Sequence, residues 1–378
     1  VERKINIHIY PSQLTNESRI EKEVKSLIDL QLVDKVIVLG INNGSLPKEV
    51  NFYQGVKFIR LDTIFSSSDS RVLRYILFFE YSIRAFFFIF NSKANIINCH
   101  SLHVLPIGAL LKIFKKFNLI YDTHELETEV SGSKGFIRVI SKALEKLCIK
   151  YVDYTIVVSN SIEEWYKNTY KICKIKTIRN IPNHKHQDIS QTNFIRQKFN
   201  ISNLAIVFIY QGLLSSTRGV NIIVEAFKIL PKDKFHIVFL GFGPMQFEIE
   251  NIANQNENIH FISKVSPTEL PEFTRSADIG IHMILNSCLN HYYCLPNKLF
   301  EYFINGLPVI VSDFPEMKEL VDQNNIGWLI EPSSENLIST INNITSEEVN
   351  LKKQNVASSK GKYSWENEEV NYIDIYNF

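Results

Sequence analysis

The chain has 378 residues, of which 45% are hydrophobic and 21% charged; that balance excludes an intrinsically disordered chain and suits two or three domains with full cores, at roughly 150 residues each. Its five cysteines, Cys99, Cys148, Cys173, Cys288 and Cys294, are odd in number and form no CxxC pair, which argues against a disulfide framework or a structural zinc site and for a reducing compartment. The net charge is +1, but residues 1–190 hold 27 Lys and Arg against 19 Asp and Glu, a net of +8, and residues 191–378 hold 14 against 21, a net of −7. A basic half suits an anionic membrane or an acidic acceptor; a chance surface distribution is the plainer alternative. No nucleic-acid partner is expected.

In chain order, KINIHIY, DKVIVLG, KFIRL, ANIINCH, NLIYDTH and DYTIVVS read as strands, rich in Val and Ile and bounded by polar turns. KINIHIY, at residues 4–10, is too short and mixed for a secretory core, so no signal peptide is expected. Helical patterns fall at 18–30, 71–90, 104–116, 136–150 and 160–170. In the second half AIVFIYQG, FHIVFLG, IHFISKV, ADIGIHM and LPVIVSD repeat the strand pattern. Alternating helices and apolar strands predict parallel sheets covered on both faces. A polar joint, NIPNHKHQDISQTN, predicts two doubly wound α/β domains, 1–186 and 187–359, with 360–378 packing back on the first. In such domains ligands bind beyond the carboxyl ends of the strands, so the expected site is a cleft between the two.

Residues 71–90, RVLRYILFFEYSIRAFFFIF, are broken by Arg74, Glu80 and Arg84, which argues against a transmembrane span. A helical wheel places Val72, Tyr75, Ile76, Phe79, Ile83, Phe86, Phe87 and Phe90 on one face, the one expected to meet the sheet. Leu77, Phe78 and Phe88 lie among the charges on the other. With Lys112, Lys115 and Lys116 in LLKIFKKF this predicts a peripheral membrane surface; a buried helix or an oligomer contact would use the same residues.

The segment HYYCLPNKLFEYFINGLPVIVSD (291–313) carries the most chemistry. Pro296 suits a first helical turn, Gly306 the position just past the helix end, and Pro308 follows, which predicts a helix of about three turns from Pro296. Its free N–H groups and dipole would receive a diphosphate, and Lys298 adds a charge. Glu301, on the same face, is placed to accept two ribose hydroxyls, although an ordinary surface Lys–Glu pair has the same spacing.

PNKLFEYFINGLPVIVSD resembles the donor-binding helix and following strand of the family-4 glycosyltransferases, retaining enzymes of the GT-B fold. The resemblance runs on through ESRIEKEVKSLIDLQLVDKVIVLG, ANIINCHSLHVLPIGALL, LIYDTHELETE, ALEKLCIKYVDYTIVVSNS, IRNIPN, IYQGLLSSTRGVNIIVEAF, VFLGFGP and YSWENEEVNYIDIY, nearly the whole chain in order. It implies an N-terminal acceptor domain and a C-terminal donor domain. Arg218 then meets the donor diphosphate, with Lys298 as a second contact and Glu301 on the ribose. Gly243 and the Cys294, Leu295 and Asn297 backbone line the sugar pocket. Tyr293 stands where the family motif has its first glutamate, which usually contacts the transferred sugar, and Leu213 where many relatives have another arginine; both depart from the family pattern. On the acceptor side the resemblance implies His100 and His124 as catalytic-cleft histidines, with Arg19 and Glu125 nearby. Hydrogen-bonded structural histidines would occupy the same strand ends, and His103 reads as structural. Arg19 is equally readable as a surface arginine.

The implied activity is retaining, metal-independent transfer of a sugar from a nucleotide diphosphate, UDP first and GDP second, onto a lipid-linked or cell-surface polysaccharide precursor in bacteria, such as lipopolysaccharide or capsule. The leaving phosphate would take the acceptor proton, so no cofactor, no metal and no carboxylate dyad is expected. The location implied is the cytoplasm, on the inner face of the membrane. A non-catalytic sugar-nucleotide-binding scaffold is the alternative. A nicotinamide oxidoreductase lacks its signature, since no GxGxxG follows the first strand, and an epimerase of the same fold would need cleft acids that have no obvious place. The run SSSDSR (66–71) supplies no Asp-x-Asp metal motif.

Overall fold

The computed structural model describes residues 3–42, 44–64, 71–182 and 192–377. The expected joint and most of SSSDSR lie outside these residues. The chain divides into two compact units, Val1–Asn180 with Glu366–Phe378, and Ile181–Trp365. Each is a parallel or mainly parallel sheet flanked by helices.

The first unit holds β1 (Ile5–Ile9), β2 (Lys35–Asn42), β3 (Glu49–Tyr53), β4 (Val56–Asp62), β5 (Ile96–His100), β6 (Asn118–Asp122), β7 (Tyr154–Val157) and β8 (Ile175–Thr177). Their order across the sheet is β3-β4-β2-β1-β5-β6-β7-β8. Only β3, paired with β4, is antiparallel. The second unit holds β9 (Ile206–Leu213), β10 (Phe235–Phe242), β11 (Ile259–Ser263), β12 (Ile279–His282), β13 (Val309–Ser312) and β14 (Gly327–Ile330), in the order β11-β10-β9-β12-β13-β14, all parallel. All the strands expected from the sequence are present. Those not foreseen, β3, β8 and β14, are edge strands, short or half-exposed, where burial on two faces no longer forces a continuous apolar run.

Strand order reverses between β1 and β5 in one sheet and between β9 and β12 in the other. These are the switch points at whose carboxyl ends doubly wound folds take their ligands. Around the second sheet, side chains alternate by face. Ile279, Ile281 and Met283 join Phe227 and Phe239 in one core. Gly280 lies against the ring of Tyr302 in the opposite one, with Leu299 and Phe303.

The Arg71–Phe90 helix is turned away from the orientation the wheel suggested. Tyr81, Ala85 and Ile89 are buried, and the Tyr81 hydroxyl donates to the Leu39 carbonyl at 2.9 Å. Ile76, Phe79, Ile83, Phe87 and Phe90 are exposed, and Phe79 is 67% exposed. The Leu105–Phe114 and Gly135–Cys148 helices lie alongside and expose Leu110, Ile113, Phe114, Phe136, Ile137 and Ile140. Two of the three lysines expected to face outward are spent internally: Lys112 pairs with Asp153, and Lys115 caps the helix by donating to the Phe90 carbonyl at 2.8 Å. No described helix is long and apolar enough to cross a membrane.

Candidate functional site

In the second unit the helix expected at Pro296 spans Asn297–Ile304, about two turns rather than three, with Pro296 as its N-cap. It ends because Gly306 adopts φ 85°. The Gly306 N–H donates to Phe303 and the Leu307 N–H to Tyr302, which satisfies the last carbonyls. Its first turn sits at the carboxyl end of the sheet, beside the switch point.

Three nominated residues gather there. Lys298, half-buried, lies across the end of β9: a Cβ on Gly212, whose φ is 129°, would fall 2.1 Å from its Cε and 3.2 Å from its Nζ. Glyless backbone could not admit the lysine so closely. Glu301 is held by Gln211, whose Nε2 donates to its Oε2 at 2.6 Å, and Gln211 accepts in turn from the Thr274 hydroxyl at 2.9 Å. The Gln211 N–H donates to the Tyr302 hydroxyl at 2.9 Å. Arg218 ends the short Ser216–Arg218 turn, and Gly219, at φ 67°, follows it. Gly243 bends beside this turn at φ 148°, where a Cβ would strike the Leu214 backbone at 2.5 Å.

The remaining nominees line the approach to that helix. Tyr293, Cys294 and Leu295 are half-buried, Asn297 is exposed, and the Cys294 thiol donates to the His291 carbonyl at 3.0 Å. Leu213 is exposed. The sequence reading missed Gln211, Thr274 and His282. His282 closes β12, is 3% exposed, and neither ring nitrogen meets a hydrogen-bond partner among the described residues. Burial, then the positive charges of Arg218 and Lys298, push its pKa down to about 3.

In the first unit a buried polar chain runs inward from the ends of β5 and β6. Asn6 donates through Nδ2 to the Ile96 carbonyl (3.2 Å) and to Asn98 Oδ1 (2.9 Å), so its Oδ1 accepts from His8 Nε2 at 2.7 Å. A neutral His8 then accepts at Nδ1 from His100 Nε2, 2.8 Å away. His100 Nδ1 lies 3.2 Å from Asp122 Oδ2 and 3.1 Å from His124 Nε2, which is itself 3.5 Å from the same carboxylate oxygen. His100 is wholly buried, with both nitrogens engaged by its neighbours. His124, 24% exposed in its side chain, is the outer end of the chain.

Arg19 is buried rather than a surface residue. It grips Asp122 through Nε (3.2 Å) and Nη2 (2.8 Å) and donates to the Ile178 carbonyl. Burial opposes the Asp122 charge, but Arg19 first, then His124 and His100, hold its pKa well below the usual carboxylate range. Burial lowers the His100 pKa to about 4 against the pull of Asp122. Glu127, half-buried, is pushed up to about 8 by burial and then by the Glu145 and Glu125 carboxylates. Glu125 and His103 are exposed, the latter edge-on to Phe78. Two trios, His8–Glu23–His100 and His100–Asp122–His124, hold ligand-type atoms within 4.8 Å of one another. Within them Asp122 already carries the Arg19 guanidinium and His100 already spends both nitrogens.

Residues 34–184 match the family Glycosyltransferase Family 4, and residues 191–363 match the family Glycosyl transferases group 1. Among curated relatives, the chitobiosyldiphosphodolichol beta-mannosyltransferase of Kluyveromyces lactis is 23% identical over 307 residues, 71% of this chain and 68% of that protein. The match to its Candida albicans counterpart is 24% identical and spans 64% of this chain and 58% of the relative. Among solved structures, sucrose-phosphate synthase from Thermosynechococcus elongatus superposes with a TM-score of 0.80 at 14% identity, covering 99% of this chain and 98% of that one. With two doubly wound units and the two family matches covering most of its length, the chain belongs to the family-4 glycosyltransferases of the GT-B fold.

Proposed function

We propose that the protein transfers a sugar from a nucleoside diphosphate to a lipid-linked or cell-surface glycan precursor, with UDP-sugars the first candidate donors and GDP-sugars the second. The observation that carries this reading is the convergence of Lys298, Arg218 and an anchored Glu301 around the β9–β12 switch point. Two cations beside a helix start suit a departing diphosphate, whose charge grows as the glycosidic bond breaks. Gln211 fixes one carboxylate oxygen of Glu301, which supports this carboxylate as the acceptor for ribose hydroxyls. On the first unit, the partly exposed His124 side chain at the outer end of the buried polar chain supports this unit as the one that takes the glycan.

The Kluyveromyces relative is by name an enzyme of a diphosphodolichol substrate, which supports a lipid-linked acceptor. The exposed apolar helices of the basic half support docking on an anionic membrane. We assign retention at the transferred carbon and no required metal. Nuclear magnetic resonance of the product anomer and activity in excess chelator test these two points, and an inverted anomer or loss of turnover overturns the respective one.

The main test is thermal denaturation with UDP, GDP, CDP and their sugars. A ligand at about 100 times its Kd adds about 2.7 kcal/mol of stability. Glu301→Ala is expected to abolish the shift given by the preferred nucleotide, and Arg218→Ala to weaken diphosphates far more than the nucleoside. Unchanged shifts in both variants would remove the basis of the assignment.

A further inference from the structure

His282 stands out among the polar groups of the second unit. It ends β12, the strand that pairs with β9 across the reversal in strand order. By strand alternation it shares a face with Gly280, which lies against Tyr302. Lys298 is one helical turn before Tyr302, toward the start of the Asn297–Ile304 helix. The imidazole therefore lies beneath the first turn of that helix, where the Arg218 and Lys298 charges both act on it.

A buried imidazole without a partner is costly. Leaving a buried donor or acceptor unpaired forfeits its hydration with nothing in return. Neighbouring polar groups of this unit avoid that cost: Gln211, Thr274 and Tyr302 are all hydrogen-bonded. A purely structural residue here would be better as leucine, the kind of residue that fills the adjacent core positions. What would satisfy His282 is an anion with several acceptor oxygens, because it would also neutralise the two cations that disfavour a protonated ring.

We infer that His282 is a direct ligand of the donor diphosphate, giving an N–H to a phosphate oxygen alongside Arg218 and Lys298. This rests on the donor site proposed above. The phosphate supplies the missing acceptor and the burial is then relieved, so the cost held in the unliganded protein is returned on binding. The residue contributes to diphosphate affinity and not to recognition of the base, which Glu301 and its neighbours address through the ribose.

The test is isothermal titration of uridine, UDP, guanosine and GDP into the wild type, His282→Leu and His282→Gln, with thermal denaturation of each variant unliganded. Leucine is expected to weaken the preferred diphosphate about tenfold, to leave its nucleoside unchanged, and to keep or raise the unliganded Tm. Glutamine, which retains an N–H donor, is expected to recover part of the loss and serves alone if the leucine variant does not fold. A variant that binds diphosphate within twofold of wild type, or loses diphosphate and nucleoside equally, overturns the role of His282. A wild type that binds neither diphosphate overturns the donor site itself, and this inference with it.

Discussion

Asp122 is the residue on which the first unit's polar chain depends. Its carboxylate is fully buried and meets a guanidinium and two imidazoles. Asp122→Asn would leave Arg19 charged and uncompensated, a loss on the order of 3–5 kcal/mol for a broken buried pair. The pH dependence follows from the depressed pKa of the folded state. Its contribution is complete above the unfolded carboxylate value of about 3.9 and disappears as pH falls through the lower folded value. Acid titration of stability is therefore expected to fall less steeply below pH 4 in Asp122→Asn than in wild type; parallel curves would show that the carboxylate is not the titrating support. The sequence pointed to Arg19, His100 and His124 as separate ligand contacts, and the structure joins them through the Asp two residues before His124. Asn6, His8 and Asn98 were missed because a strand read only as an apolar run does not say what its polar side chains meet inside the sheet, and β1 is a central strand buried along most of its length. His282 was missed for the same reason: one polar residue in ADIGIHM is invisible until the strand order makes its end a switch point.

At the scale of elements, the Arg71–Phe90 helix shows where a wheel fails. Both of its faces are apolar, so hydrophobicity cannot choose which one meets the sheet. The choice falls to fit, with Ala85 and Ile89 close to the sheet and the Tyr81 hydroxyl reaching a strand carbonyl. Phe79, Phe87 and Phe90 are left outside, next to the exposed residues of the Leu105–Phe114 and Gly135–Cys148 helices. An apolar surface spread over three neighbouring helices is more than scattered exposure requires. Exposed Lys116, Lys134 and Lys146 flank it. Co-sedimentation with phosphatidylglycerol vesicles is expected to exceed that with phosphatidylcholine. The double variant Phe79→Asp/Phe136→Asp is expected to lose at least fivefold of the binding, with stability within about 0.5 kcal/mol because both sites are exposed. Equal binding by this variant would remove the membrane assignment while leaving the donor site untouched. Short helix-end signals were more legible: Pro296 and Gly306 marked the two ends of the Asn297–Ile304 helix, although it has about two turns and not three.

At the scale of the molecule, the first unit is completed by chain that returns after the second has been built. The Tyr376 hydroxyl meets Asn98 Nδ2 at 2.8 Å and Asn6 Oδ1 at 3.2 Å, so the last helix closes the inner end of the same polar chain that His124 ends on the outside. Glu368 accepts from the Arg179 N–H at 2.8 Å, and Glu369 from the Ser26 hydroxyl. Removing residues 366–378 would take the Tyr376 hydroxyl from Asn6 and Asn98 and let water into the inner end of the chain, and would open the apolar seat of Tyr372 and Ile375. The damage should stay within one unit, because the second sheet has its own two cores. Hydrogen exchange of the truncated chain is expected to show lost protection in β1 and β5 and native protection in β9 and β12. Tyr376→Phe should show the same pattern more weakly, as it removes the hydroxyl and keeps the ring. Uniform loss over both sheets would mean that the returning helix supports the whole molecule; no loss in β1 would mean that the polar chain holds without its inner cap.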